Sequence, residues 1–186
     1  MQQPRLKKPA DVLITVGDDL YISEPGMNDI PELVTYLNDR LIYSHTLRIP
    51  HPYTTRDGEW YINFCRERKK TFGRTMEWCI RNERMELIGG IGLQGLSSRE
   101  THKEVLGYWL GSPFRNRKIM SRAVSAFCDY VFSSYGIVRL EAHVYLNNKA
   151  SCRILEKAGF EKEAVMKKFV CKDGQYIDSF LYARVI

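Results

Sequence analysis

A chain of 186 residues is long enough for one domain with a single apolar core. Its hydrophobic share of 44% and charged share of 27% are those of a soluble globular protein, and no apolar run approaches the ~20 residues that span a bilayer. The net charge of +6 raises nucleic acid as a partner, but the basic residues are spread along the chain and no DNA- or RNA-binding motif accompanies them.

Residues 1–10 read as a loose arm ahead of one domain over residues 11–186, and the basic start lacks the apolar stretch of a secretory signal. Val12 to Val16 and Leu20 to Ile22 read as short strands around a Gly17-Asp18-Asp19 turn. Asn28 or Asp29 is placed to cap a helix with Ile30, Leu33, Val34 and Leu37 on one face and Pro31 in its first turn. A second short helix is expected between Asp39 and Leu47, before Pro50 and Pro52 interrupt the chain. Thr54 or Thr55 then caps a helix running to about Lys70. Arg74 to Arg81 reads as a strand and Asn82-Glu83 as a turn. Met85 to Leu93 reads as a strand whose glycines imply close backbone approach or a bulge.

The most informative stretch follows. Glu104 to Leu110 is an apolar strand, Ser112 to Lys118 a basic loop, and Ile119 to about Ser133 an amphipathic helix stopped by Gly136. A strand feeding a helix through a tight cationic loop gathers backbone N–H groups and the positive helix end at one point, which suits a phosphate or pyrophosphate. Val138 to Tyr145 is a strand and Asn148 to Ala158 a helix ended by Gly159. Phe160 opens a hairpin that turns at Lys172-Asp173-Gly174 and returns over Tyr176 to Val185. Cys65, Cys79, Cys128, Cys152 and Cys171 form no CxxC, and His45, His51, His102 and His143 form no ligand cluster. Reduced thiols, a cytoplasmic setting and no metal are expected.

Gly107-Tyr108-Trp109-Leu110-Gly111, then Arg115 to Met120, then Asn148-Lys149-Ala150-Ser151 with Leu155-Glu156-Lys157-Ala158-Gly159-Phe160 resemble, in order and spacing, the GNAT N-acetyltransferases. Tyr36 to Asp39, Pro50 to Thr54 and Asp57 to Trp60 are similar to the amine-binding side of the RimJ/RimL-like branch. The resemblance implies an α/β (α+β) GNAT fold: a mixed, mostly antiparallel twisted sheet with two central parallel strands that splay apart, flanked by helices. It implies acetyl-CoA as cosubstrate, and as acceptor an amine-bearing small molecule or a peptide or protein N-terminus. A monomer or homodimer is expected, with no membrane or metal.

By that resemblance the cofactor is held by Tyr108, Trp109 and Leu110, by Arg115, Asn116, Arg117, Lys118, Ile119, Met120 and Ser121, and by Asn148 and Ser151. Ser151 aligns with a serine that protonates the leaving thiolate, with Tyr145 and Tyr108 as alternative acids. The family's usual base falls at Val105, which leaves Glu104, His102 and Glu77 as substitutes. Lys118 stands where the family has glycine, so a left-handed backbone there costs about 1–2 kcal/mol. Two readings stay open: a working acetyltransferase that attacks directly in a ternary complex, and a weakened relative that binds coenzyme A or a partner without turnover. Asp178 matches a frequent family position of mainly structural role.

Overall fold

The computed structural model describes residues 13–95 and 102–186. The arm expected over residues 1–10 and the first residue of the first expected strand, Val12, lie outside them. Two short strands, β1 (Ile14–Thr15) and β2 (Tyr21–Ser23), lead into helices α1 (Ile30–Leu37), α2 (Arg40–His45) and α3 (Thr55–Phe72). Strands β3 (Glu77–Arg81), β4 (Leu87–Leu93) and β5 (Lys103–Leu110) follow. Then come α4 (Ile119–Tyr135), β6 (Arg139–Tyr145), α5 (Lys149–Lys157), β7 (Glu161–Lys172) and β8 (Gln175–Val185).

Local chemistry sets most of these boundaries. Thr54 and Asp57 form a reciprocal capping box at the head of α3. The Asp39 side chain accepts the Leu41 N–H at the head of α2, and Gly136 ends α4 at φ 64. Two expectations need correction. Asp29 stands at the head of α1 but does not cap it. Arg81 takes both carboxylate oxygens at 2.6 and 2.9 Å, and the Gly26 N–H takes one of them at 2.7 Å. A buried guanidinium needs a counter-charge more than a helix end needs one acceptor. Met85, expected in a strand, instead sits in the turn before β4 at φ 62, its carbonyl accepting from Arg81.

The eight strands form one sheet in the order β1-β2-β3-β4-β5-β6-β8-β7. The neighbours pair antiparallel except β5 with β6, which are parallel. One face packs Trp78, Ile80, Leu106, Leu140 and Val144 against Phe127, Val131 and Leu155 of α4 and α5. Trp78 meets Phe127 edge-on at 4.8 Å between ring centres. The other face packs Cys79 and Leu87 against Ile30, Leu33, Ile42 and Ile62 of the first three helices. Each large apolar side chain buried this way contributes about 1.5–3 kcal/mol.

Candidate active site

The register of the parallel pair runs Lys103 to Arg139, Glu104 to Leu140 and Val105 to Glu141, and stops there. Beyond Val105, β5 keeps its ladder with β4 up to Leu110 opposite Gly89. The two central strands therefore part in a V with its apex at Val105. The Gly111 N–H donates to the Ile88 carbonyl at 2.9 Å, which makes Gly89 and Leu110 a non-hydrogen-bonded pair. By alternation the backbone groups of Tyr108 and Leu110 point away from β4 into the V, while those of Trp109 bond to Gly90. Of the three residues expected to hold the cofactor, Tyr108 and Leu110 are the ones that turn backbone groups into the V. Trp109 instead packs its indole against the α1–α3 layer.

At the open end of the V the chain makes a 3₁₀ turn over Ser112–Phe114 and enters α4. Asn116 and Lys118 both adopt left-handed backbone, at φ 61 and 58. The geometry that glycine usually supplies is thus present without it. Among the described residues no side chain caps the head of α4, and its first helical bond runs from the Arg122 N–H to the Lys118 carbonyl. The N–H groups of Ile119, Met120 and Ser121 precede that bond and have no partner within the helix. Ile119 and Met120 are buried and anchor the turn in the core. The Ser121 hydroxyl donates to the Lys118 carbonyl at 2.9 Å.

The cations of this loop divide into two kinds. Arg115 folds back on the Leu110 carbonyl and pairs with Asp39 at 2.7 Å. Arg122 pairs with Asp19 and donates to the Val16 carbonyl at 2.8 Å. Arg117 and Lys118 are exposed at the helix head.

Across the V, α5 begins at Asn148, whose side-chain oxygen accepts the Ser151 N–H at 3.1 Å. The Ser151 hydroxyl lies 2.7 Å from the Tyr108 hydroxyl. Burial pushes the Tyr108 phenol far above its ordinary range, so it stays protonated as a donor. The structure thus brings two of the three proposed acids together.

Tyr145, the third, belongs to the other face of the sheet. Leu140, Ala142 and Val144 join the α4–α5 core, so the pleat turns Tyr145 away from it. Its buried hydroxyl has no hydrogen-bond partner among the described residues, and burial raises its pKa. Tyr145 lines a cleft of about 300 Å3 with Ser44 of α2, Leu146, Asn147 and the β8 residues Tyr176, Ile177 and Asp178. Asp178 accepts the Lys168 N–H at 2.7 Å and so braces the bulge in β7, the structural part expected of it.

The candidate bases separate as well. Glu104 turns to the α4 face, fully buried and 3.7 Å from Arg74, away from the cleft that Tyr145 lines. Burial raises its pKa, and neither carboxylate oxygen has a hydrogen-bond partner among the described residues. This position argues against Glu104 as base. His102 is exposed ahead of β5, and its carbonyl accepts the Val138 N–H. Glu77 lies on the α3 face, paired with Arg68 at 2.6 Å. Sequence reasoning passed over Gln94, at the end of β4 on that same face. Its one signal was a polar residue closing the glycine-rich run.

The splayed parallel pair and the uncapped α4 define an acetyltransferase fold. Residues 19–161 match the family model described as acetyltransferase (GNAT) domain, and the chain belongs to that family. It is 34% identical over 113 residues to the uncharacterized N-acetyltransferase YoaA of Bacillus subtilis, a match covering 60% of this chain and 63% of that protein. It is 32% identical over 98 residues to the ribosomal protein uS5-alanine N-acetyltransferase of Escherichia coli, covering 53% and 50%. The matched stretches thus span half to two thirds of these relatives' lengths. Among solved structures, RimL, a ribosomal L7/L12 α-N-protein acetyltransferase in complex with coenzyme A, superposes with a TM-score of 0.85. Its identity is 20%, over 94% of this chain and 98% of that one, a likeness of fold.

Proposed function

We propose that this chain transfers the acetyl group of acetyl-CoA to a primary amine, with a peptide or protein N-terminal α-amine as the leading acceptor class, by direct attack in a ternary complex. The observation that carries this reading is the V between β5 and β6, opening onto the uncapped head of α4. The residues present fit the cosubstrate. Backbone N–H groups of Ile119, Met120 and Ser121, with Arg117 and Lys118, would hold its diphosphate. The outward backbone groups of Tyr108 and the N–H of Leu110, whose carbonyl Arg115 occupies, would align its pantetheine arm, so that positioning supplies much of the rate. Ser151, oriented by Asn148 and hydrogen-bonded to Tyr108, would protonate the departing thiolate.

The cleft beside Tyr145 is the acceptor seat in this reading. An α-amine of pKa ~7.7–8.0 is roughly one-fifth to one-third neutral at pH 7.4, whereas a lysine of pKa ~10.4 is about one-thousandth neutral, so the chemistry favours N-termini. The names of the uS5 and L7/L12 acetyltransferases support the same class. A cytoplasmic setting and a monomeric or homodimeric state belong to this reading.

One observation favours the second reading, binding without turnover: Arg115 and Arg122 are committed to Asp39 and Asp19. A thiol-release assay with acetyl-CoA and a panel of N-terminal peptides, amino acids and polyamines separates the two. Acceptor-dependent release supports transfer. Saturable coenzyme binding without release for any amine supports the alternative.

A further inference from the structure

Glu77, Gly92 and Gly107 stand side by side across three strands, β3, β4 and β5, on the face covered by α3. The two glycines leave a bare strip of backbone leading from Glu77 toward the apex of the V. Polar side chains lie over that strip. A Cβ on Gly92 would overlap the Glu77 carboxylate, and a Cβ on Gly107 would overlap the side-chain amide of Gln94. Gly107 is two residues past Val105, where β5 leaves β6. Paired Cβ positions on neighbouring strands are about 4.5–5.5 Å apart, a spacing that one water placed between the carboxylate and the amide can span.

The geometry points to Glu77 as the proton acceptor of the transfer reaction, working through a water held by Gln94 beside Gly107. This rests on the acetyltransferase reading and supplies the base that the sequence lacks at Val105. As the amine nitrogen bonds to the acetyl carbon and the carbon–sulfur bond breaks, the nitrogen gives its proton through that water to Glu77. The thiolate takes a proton from the Ser151 hydroxyl, which recovers one from solvent.

The surroundings of Glu77 suit the task. Arg68 of α3 pairs with it and also donates to the Gly95 carbonyl at 3.2 Å, fixing the carboxylate at the end of β4. Arg48 and, on α3, Tyr61 and Cys65 also act on it, the charge of Glu104 reaches it from the other face of the sheet, and Glu24 and Lys69 line the small cavity at its side. Burial outweighs the two arginines and pushes its pKa up to about 7, the range of an effective base at neutral pH. Glu77 does not touch the reacting atoms, so it is a positioning and relay residue.

The test is the pH dependence of acetyl transfer from acetyl-CoA to an N-terminal peptide, for the wild type, Glu77→Gln and Gln94→Ala. The wild type should show an acidic limb in kcat with a midpoint near 7. Glu77→Gln should lose that limb and about 100-fold in kcat, with the KM for acetyl-CoA unchanged. Gln94 is exposed, so Gln94→Ala should keep the fold while lowering kcat with no change in that KM. Should Glu77→Gln fail to fold, Gln94→Ala decides alone. Wild-type kcat and an unmoved limb in the variants that fold would remove Glu77 while leaving the transferase reading intact. Absence of wild-type turnover with every amine would overturn both.

Discussion

The hydroxyls of Tyr108 and Ser151 lie 2.7 Å apart, and their hydrogen bond ties β5 to α5 across the gap where β5 has left β6. The Ser151 hydroxyl therefore has a protonated phenol behind it, held so by burial. Ser151→Ala should lower kcat for acetyl transfer while leaving acetyl-CoA affinity near wild type. Tyr108→Phe should lower kcat less and cost about 1 kcal/mol of stability, the worth of one intramolecular hydrogen bond. Steady-state kinetics with calorimetry on both variants checks this, and unaltered kcat for Ser151→Ala removes the serine from the mechanism.

Lys118 holds a left-handed backbone, φ 58, at the head of α4. Replacing it with glycine relieves a strain of about 1–2 kcal/mol but also loosens the unfolded chain, so a net gain of roughly 0.5–1 kcal/mol is expected in denaturant unfolding. The same change removes one of two exposed cations and should weaken acetyl-CoA binding, most visibly at low salt. Tighter binding would mean that the lysine side chain obstructs the diphosphate.

The division of the arginines gives a third expectation. Arg117→Ala should weaken acetyl-CoA binding without lowering the melting temperature. Arg115→Ala should lower the melting temperature, because it strips the partner from Asp39 and the cap from the Leu110 carbonyl. Thermal melts with and without acetyl-CoA separate the two effects.

Glu77 links stability to pH. Burial raises its folded-state pKa from 4.5 to about 7, so between those values the folded chain binds more protons than the unfolded chain. Stability should therefore fall as pH rises through that window, by on the order of 3 kcal/mol, and level off above it. Glu77→Gln should abolish this decline. Urea unfolding at pH 5 and pH 8 for both proteins measures it. The buried Arg81–Asp29 pair has a simpler signature. Arg81→Ala leaves Asp29 alone in the interior and should cost about 3–5 kcal/mol.

The sequence disclosed the helices and central strands because their signals are local. The Thr54 and Asp57 cap, the Asn148 cap and the stop at Gly136 each act within a few residues. The cationic loop before α4 was equally legible, since strand, loop and helix follow directly in the chain. What escaped depends on partners far away in sequence. Asp29 reads as a cap until Arg81, 52 residues on, claims it. Arg115 and Arg122 read as phosphate ligands until Asp39 and Asp19 are seen beside them. Pleat direction mattered most at the site. It turned Glu104 under α4, directed Trp109's backbone to β4, and lined up Glu77 with Gly92 and Gly107, a relation that exists only once three strands are in register.

The central claim is that the head of α4 and the outward edge of β5 grip one coenzyme molecule. Amide hydrogen exchange read residue by residue by NMR, with and without saturating acetyl-CoA, tests it most directly. Added acetyl-CoA should slow exchange at Ile119, Met120 and Ser121 and at Tyr108 and Leu110. It should leave Trp109, already bonded to β4, unchanged. Unaltered exchange at the α4 head and along β5 under saturating acetyl-CoA would contradict the account.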